Sequence, residues 1–210
     1  MCRSRCTRGT CRPPRCGSCR FWQTCSRRLC GIAAPHSVAI LGIAGGNGLE
    51  RLDTEVTRRI VGVDIHPEYL EAVRRRFPNL PLTLFPADLR SGRVPAEPVD
   101  LVHAALIFEH AGSEECLRSA ASLVAAGGHL SVVLQLPADS AAQPPQIGSG
   151  PMKAVKEWFR HVDPVEFKQR LALLGFSPVE ERRRALPAGK AFWSGVFTRS
   201  SGATARPSAS

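Results

Sequence analysis

The chain has 210 residues, a net charge of +10, 43% apolar residues and 22% charged residues, which is the composition of an ordinary globular domain with enough chain to bury a core. The positive charge suggests nucleic-acid binding, but residues 1–30 hold eight of the arginines and no acid; removing them leaves 20 basic residues against 18 acidic ones. The excess therefore belongs to an N-terminal segment and not to a face of the fold, which argues against a nucleic-acid partner for the body.

Seven of the eight cysteines also fall in residues 1–30, leaving Cys116 alone in the body. A body almost without cysteine fits a reducing, cytoplasmic setting and offers no disulfide framework. Within the segment, "CGSC" (Cys16, Cys19) with Cys25 and Cys30 presents four thiolates. Their spacing departs from paired zinc knuckles, so no metal site is assigned. The arginines "SRRLC" before an apolar run resemble an export signal, yet Pro35 and His36 interrupt that run. Its apolar end is also the strand that feeds the next motif, so cleavage there would destroy the domain. No stretch reaches the ~18 apolar residues of a membrane span. The expected division is a disordered Arg/Cys-rich extension over 1–34, one domain over 35–199, and a disordered polar tail over 200–210.

From residue 37 the pattern alternates strands and helices. "VAIL" (38–41) is an apolar strand that breaks into Gly42, Gly45, Gly46 and Gly48, and Leu49, Leu52 and Val56 then follow at helical spacing. Strand, glycine loop and helix bring bare backbone amides up to a ligand, which the loop alone leaves open between dinucleotide, phosphate and adenosyl group. "IVGVDI" (60–65) is a second strand ending in Asp64, 22 residues after Gly42, where an acid binding a ribose hydroxyl belongs. Pro67 opens a helix carrying Leu70, Val73 and Phe77. "LPLTLF" (80–85) is a third strand with Asp88 beyond it. "VDLVHAALIF" (99–108) is a fourth, apolar on both faces apart from His103, as in a buried parallel strand. Ser113 caps a helix carrying Leu117, Ala121 and Val124, with Gly127-Gly128 as its stop, and "HLSVVLQL" (129–136) is the fifth strand. "PADSAAQPPQIGSG" (137–150) and the helix "PMKAVKEWF" suit a lid that sets specificity. Asp163, Pro164 and Glu166 form a capping-box start for a helix that Gly175 ends, and two closing strands follow as a hairpin. The expected fold is α/β: an open, doubly wound, mostly parallel, Rossmann-like sheet ending in an antiparallel hairpin.

In this order, "ILGIAGGNG", "VGVDIHPEYL", "PADL", "VDLVHAALIFEH", "LRSAASLVAAGGHLSVVLQ" and "FKQRLALLGF" resemble the class I S-adenosylmethionine-dependent methyltransferases over residues 37–199. The resemblance implies the seven-stranded methyltransferase fold and S-adenosyl-L-methionine as cofactor. It implies that Gly42, Ala44 and Gly46, with Gly45 between them, border the methionine part of that cofactor. Asp64 would pair with the ribose hydroxyls, with Ile65 beside it, and Asp88 and Leu89 would meet the adenine. Ala104 on the fourth strand would complete the surface. Two departures stand out: Ile40 occupies the position where the family carries an acid, and Ala44 replaces the middle glycine of G-x-G-x-G. The first removes a favourable charge near the cofactor ammonium and predicts weaker affinity.

Glu109 and His110 directly follow the fourth strand, where the acceptor would lie, and either side chain can take a proton from it. The fourth strand has "AALI" (104–107) in place of the N/D-P-P-Y/F signature and lacks a Pro-Cys pair, which lowers the case for base methylation and favours a small-molecule acceptor. A nicotinamide-dependent oxidoreductase and a degenerate, non-catalytic cofactor-binding protein are the alternatives. Against the first, Tyr69 is the sole tyrosine and has no Tyr-x-x-x-Lys partner. For the second, Ile40 and the odd N-terminus speak.

Overall fold

The computed structural model describes residues 35–91, 93–112, 114–137, 159–185 and 191–202. The extension over 1–34 with its cysteines and arginines, the Ser113 cap, the proposed lid beyond residue 137 with its helix through 158, and the tail from 203 lie outside the described residues.

Seven strands form one sheet in the order β3-β2-β1-β4-β5-β7-β6. They are β1 (Ser37–Leu41), β2 (Arg59–Asp64), β3 (Leu82–Pro86), β4 (Val99–Ala105), β5 (Val124–Leu136), β6 (Phe176–Ala185) and β7 (Ala191–Arg199). The first five pair in parallel; β7 inserts antiparallel between β5 and β6. Among the described residues the α-helices are α1 (Pro67–Arg76), α2 (Phe108–Ala111), α3 (Glu114–Ser122) and α4 (Pro164–Leu173).

Strand periodicity distributes the core between two layers. On β1, Val38 and Ile40 point into a cluster with Ile60, Leu70, Val73 and Leu101, whereas Ala39 and Leu41 point into a larger one with Val102, Leu117, Leu130 and Phe167. A strand covered on both faces must be apolar at successive positions, which is why "VAIL" reads as a continuous run. The strand order reverses direction between β1 and β4, so a crevice opens beyond their carboxyl ends.

Three local expectations are corrected. The helix expected after the glycine loop is only a 3-10 turn at Leu49–Arg51, followed by turns around Asp53. Leu49 is buried, but Leu52 and Val56 are only partly so, and three spaced apolar residues do not nucleate a helix without a face to pack it on. The fourth strand ends at Ala105; Phe108 begins the short α2 instead of continuing the strand. Finally, α3 stops at Ser122, and Val124 already belongs to β5. Gly127 and Gly128 lie inside that strand as an irregularity: between the pairs Val99↔Val124 and Leu101↔His129, two steps on β4 face five on β5. Asp163 does cap α4, its Oδ1 accepting from Val165 N at 2.7 Å, with Pro164 in the first turn.

Candidate functional site

The glycine loop leaves β1 through residues in the left-handed region: Gly42 at φ +67, Ala44 at +45 and Gly46 at +71. At Gly46 a Cβ would come within 2.9 Å of the Phe77 ring, so glycine is needed there for space as well as for φ. Ala44 has the disfavoured conformation without glycine's freedom, and it is exposed at the crown of the loop. Gly45 faces open space, with nothing within 4 Å of a Cβ built on it. Arg76 of α1 fixes the loop from outside, donating to the Gly45 carbonyl at 2.8 Å and to Asn47 Oδ1 at 2.9 Å.

Asp64 stands at the end of β2 and is buried. Its Oδ2 accepts from Ala44 N at 2.9 Å and its Oδ1 from His66 N at 3.0 Å. Each oxygen keeps lone pairs for a further donor. Beside it Ile65 is 50% exposed, an apolar face at the mouth of the crevice. The structure thus brings Gly42, Ala44, Gly45, Gly46, Asp64 and Ile65 together around the carboxyl ends of β1 and β2.

Asp88 follows β3, and its carboxylate is gripped by Arg90, whose Nε donates to both oxygens at 3.0 Å and whose Nη2 donates to Oδ2 at 2.7 Å. That guanidinium holds the carboxyl below its ordinary range. Leu89 is buried in the core, with its carbonyl accepting from Ser119 Oγ at 2.8 Å. Ala104 is fully buried between Leu41 and Val132 on the neighbouring strands. It lies in the core and not on the crevice surface, so the strand reaches the crevice through Ala105 and Leu106. Leu106 has φ +57, strain stored at the sheet's switch point in a non-glycine residue. Next to it, Ile107 closes over Gly42: its Cδ1 lies 2.9 Å from where a Gly42 Cβ would sit. Ile40, in the place of the expected acid, is buried in register between Gly62 and His103.

Glu109 is buried, 1% exposed, in the short α2. Its Oε1 accepts from Gln135 N at 2.6 Å, while Oε2 has no hydrogen-bond partner. Burial raises its pKa, against the opposing pull of the Gln135 amide, its own backbone and His161. His110 is half-buried and lowered by burial. Its ring meets Phe159 edge-on at 5.3 Å, and Phe159 meets His161 at 5.0 Å. The segment after Phe159 is tied down where Arg160 N donates to the Glu109 carbonyl at 2.9 Å and His161 Nδ1 lies 3.3 Å from the Gln135 carbonyl. Between α2, this segment and α4 lies a cleft of about 340 Å³ lined in part by Arg90, Glu109, His110, Arg160 and Arg170. Cys116 is buried in the core, and burial pushes its thiol up to about 12, so it stays protonated and inert.

Sequence reasoning missed Arg90, Arg160, His161 and Leu106. Arg160 and His161 lie just ahead of Val162 and the Asp163 cap of α4, a position that pattern reading treats as connection. Nothing in a leucine codon announces a left-handed backbone. Among the described residues, no group of three or more His, Cys, Asp or Glu side chains is arranged to hold a metal ion. No described helix is long and apolar enough to cross a membrane.

Residues 38–128 match the family model of the methyltransferase domain. The fold is that of the class I S-adenosylmethionine-dependent methyltransferases. The methyltransferase-fold neighbours include the N-methyltransferase NodS of Bradyrhizobium japonicum in complex with S-adenosyl-L-homocysteine, with a TM-score of 0.64 and 20% identity over 86% of each chain. The [4+2]-cyclase SpnF shares the fold at a TM-score of 0.68 and 11% identity, covering 88% of this chain and 82% of that one. A methyltransferase-like protein of Schizosaccharomyces pombe is 31% identical over 98 residues, 44% of this chain and 36% of that protein. The chain thus matches about a third of the length of this curated relative.

Proposed function

We propose that this protein transfers a methyl group from S-adenosyl-L-methionine to a small-molecule acceptor, with Glu109 and His110 as the groups nearest the reacting atom. The observation that carries the reading is the juxtaposition of Asp64, Ile65 and the left-handed glycine loop at the switch point of a methyltransferase fold. The residues fit the cofactor: Asp64 retains acceptor capacity for ribose hydroxyls, and Ile65 offers an exposed apolar face for a purine. Open space at Gly45 leaves room for the methionine part.

When bound, S-adenosyl-L-methionine supplies an electrophilic methyl on a sulfonium. Asp64 orients the ribose, and the glycine loop leaves room beside it for the methionine end, so alignment and exclusion of water provide most of the rate. Glu109 and His110 act on an acceptor that arrives protonated: the half-buried His110, whose pKa is lowered, is neutral at pH 7 and able to accept a proton. Ile40 supplies no charge for the ammonium, which sets the expectation of modest cofactor affinity.

Thermal shift and calorimetry with S-adenosylmethionine, S-adenosylhomocysteine and NADH test the reading. Ligand at 100 times its dissociation constant adds ~2.7 kcal/mol of stability. A response to the adenosyl ligands alone is expected, and none with either would sink it. Because SpnF, a cyclase, shares the fold, transfer of a labelled methyl group to small-molecule acceptors is the second measurement.

A further inference from the structure

We propose that the cleft between α2 and α4 binds the acceptor through an oxyanion on it, a carboxylate or a phosphate, with Arg160 as the cation that meets it. This rests on the methyl-transfer reading for the word acceptor, but the anion site stands on its own geometry.

The cleft is rich in cationic side chains, and most of them already have a carboxylate. Arg170 is shared between Glu166 at 2.6 Å and Glu114 at 3.1 Å. Arg90 grips Asp88 at 2.7 Å. Arg160 differs: among the described residues no carboxylate lies within ion-pairing distance of its guanidinium, while its backbone is held at the rim by the Glu109 carbonyl. The acids of the lining are each held by one of their oxygens. Glu166 is paired with Arg170, Asp163 accepts from the amide of Val165, and Glu109 Oε1 accepts from Gln135 N. Three guanidiniums, those of Arg90, Arg160 and Arg170, line the cleft, and at Arg160 an oxyanion finds a planar fork that matches it bidentately.

His110 and His161 flank the same cleft as further donors. The floor is apolar: Phe108 and Phe167 meet edge-to-face at 4.8 Å. A volume of about 340 Å³ suits a small ligand with a flat apolar body and one anionic group.

The probes are inorganic phosphate and acetate, titrated into the full-length protein while the imidazole NMR resonances of His110 and His161 are followed. Saturable shifts of both are expected with at least one probe, and the preferred probe separates phosphoryl from carboxylate acceptors. Arg160→Gln, an exposed substitution, is expected to weaken that binding roughly tenfold. Arg74→Gln on α1 leaves it unchanged. No saturable shift, or equal affinity in Arg160→Gln, overturns the proposal. S-adenosylhomocysteine binding measured on the same samples keeps the two readings apart. Cofactor binding without an anion response removes only the oxyanion; an anion response without cofactor binding removes only the methyl-transfer reading.

Discussion

Asp64 and Ala44 are joined across the crevice: the carboxylate at the end of β2 accepts the amide of the residue at the crown of the glycine loop, at 2.9 Å. The acid expected to hold a ribose also holds the loop expected to border the rest of the cofactor. With His66 N on its other oxygen, Asp64 keeps three short segments in register. Asp64→Asn presents an amide NH₂ to one of these two N–H groups, leaving a part-buried donor without its acceptor at a cost of about 1 kcal/mol. Urea unfolding should show that loss, and calorimetry a matching loss of S-adenosylhomocysteine affinity. Unchanged affinity would remove Asp64 from the cofactor site.

Ala44→Gly should act in the opposite direction. A left-handed L-residue costs roughly 1–2 kcal/mol, and glycine returns ~0.5–1 of it as unfolded-state entropy. The substitution is therefore expected to raise the denaturation midpoint by up to about 1 kcal/mol equivalent. A lower midpoint would mean that the alanine methyl has packing not seen in the loop.

Glu109 sets a pH dependence with a definite sign. Burial raises its folded pKa above the unfolded value, so between the two the native state holds the extra proton. Stability contributed by the neutral form is present at acid pH and declines as pH rises through the folded pKa. Relative to wild type, Glu109→Gln should gain stability as pH rises from about 4.5. Denaturant melts at pH 5 and 8 compare the two. A difference that does not change with pH refutes the assignment.

His103 gives the reverse case. It is fully enclosed, with Nδ1 3.1 Å from Ser131 Oγ, and burial pushes its pKa down to about 4. The unfolded chain takes up a proton first on acidification, so stability falls from pH ~6.5 downward, by up to roughly 3 kcal/mol. His103→Leu should be less sensitive than wild type across that interval. Equal acid sensitivity of the two would show that the ring titrates normally.

Much of this was legible because it rests on local chemistry. Asp64 is readable from its distance to Gly42, and the start of α4 from Asp163-Pro164. What was not legible depends on tertiary contacts. Whether Leu52 and Val56 extend a helix is decided by what covers them, and Gly127-Gly128 serves a bulged strand as readily as a helix stop. Ala104 has the right place on β4, but the depth of burial is set by Leu41 and Val132 on either side. Arg160 became visible only when α2 and α4 enclosed a cleft beside it.

The strand order also governs how this protein meets copies of itself. The two outermost strands are β3 and β6. β3 is five residues long, preceded by Pro81 and ending in Pro86, and neither proline offers an N–H to a newcomer. β6 carries an exposed charged run through Arg184, with Glu180 ion-paired to Arg182 and Glu181 to Lys168. Such rims oppose edge-to-edge growth of the sheet, so the long final hairpin lengthens the sheet without making it a template for aggregation.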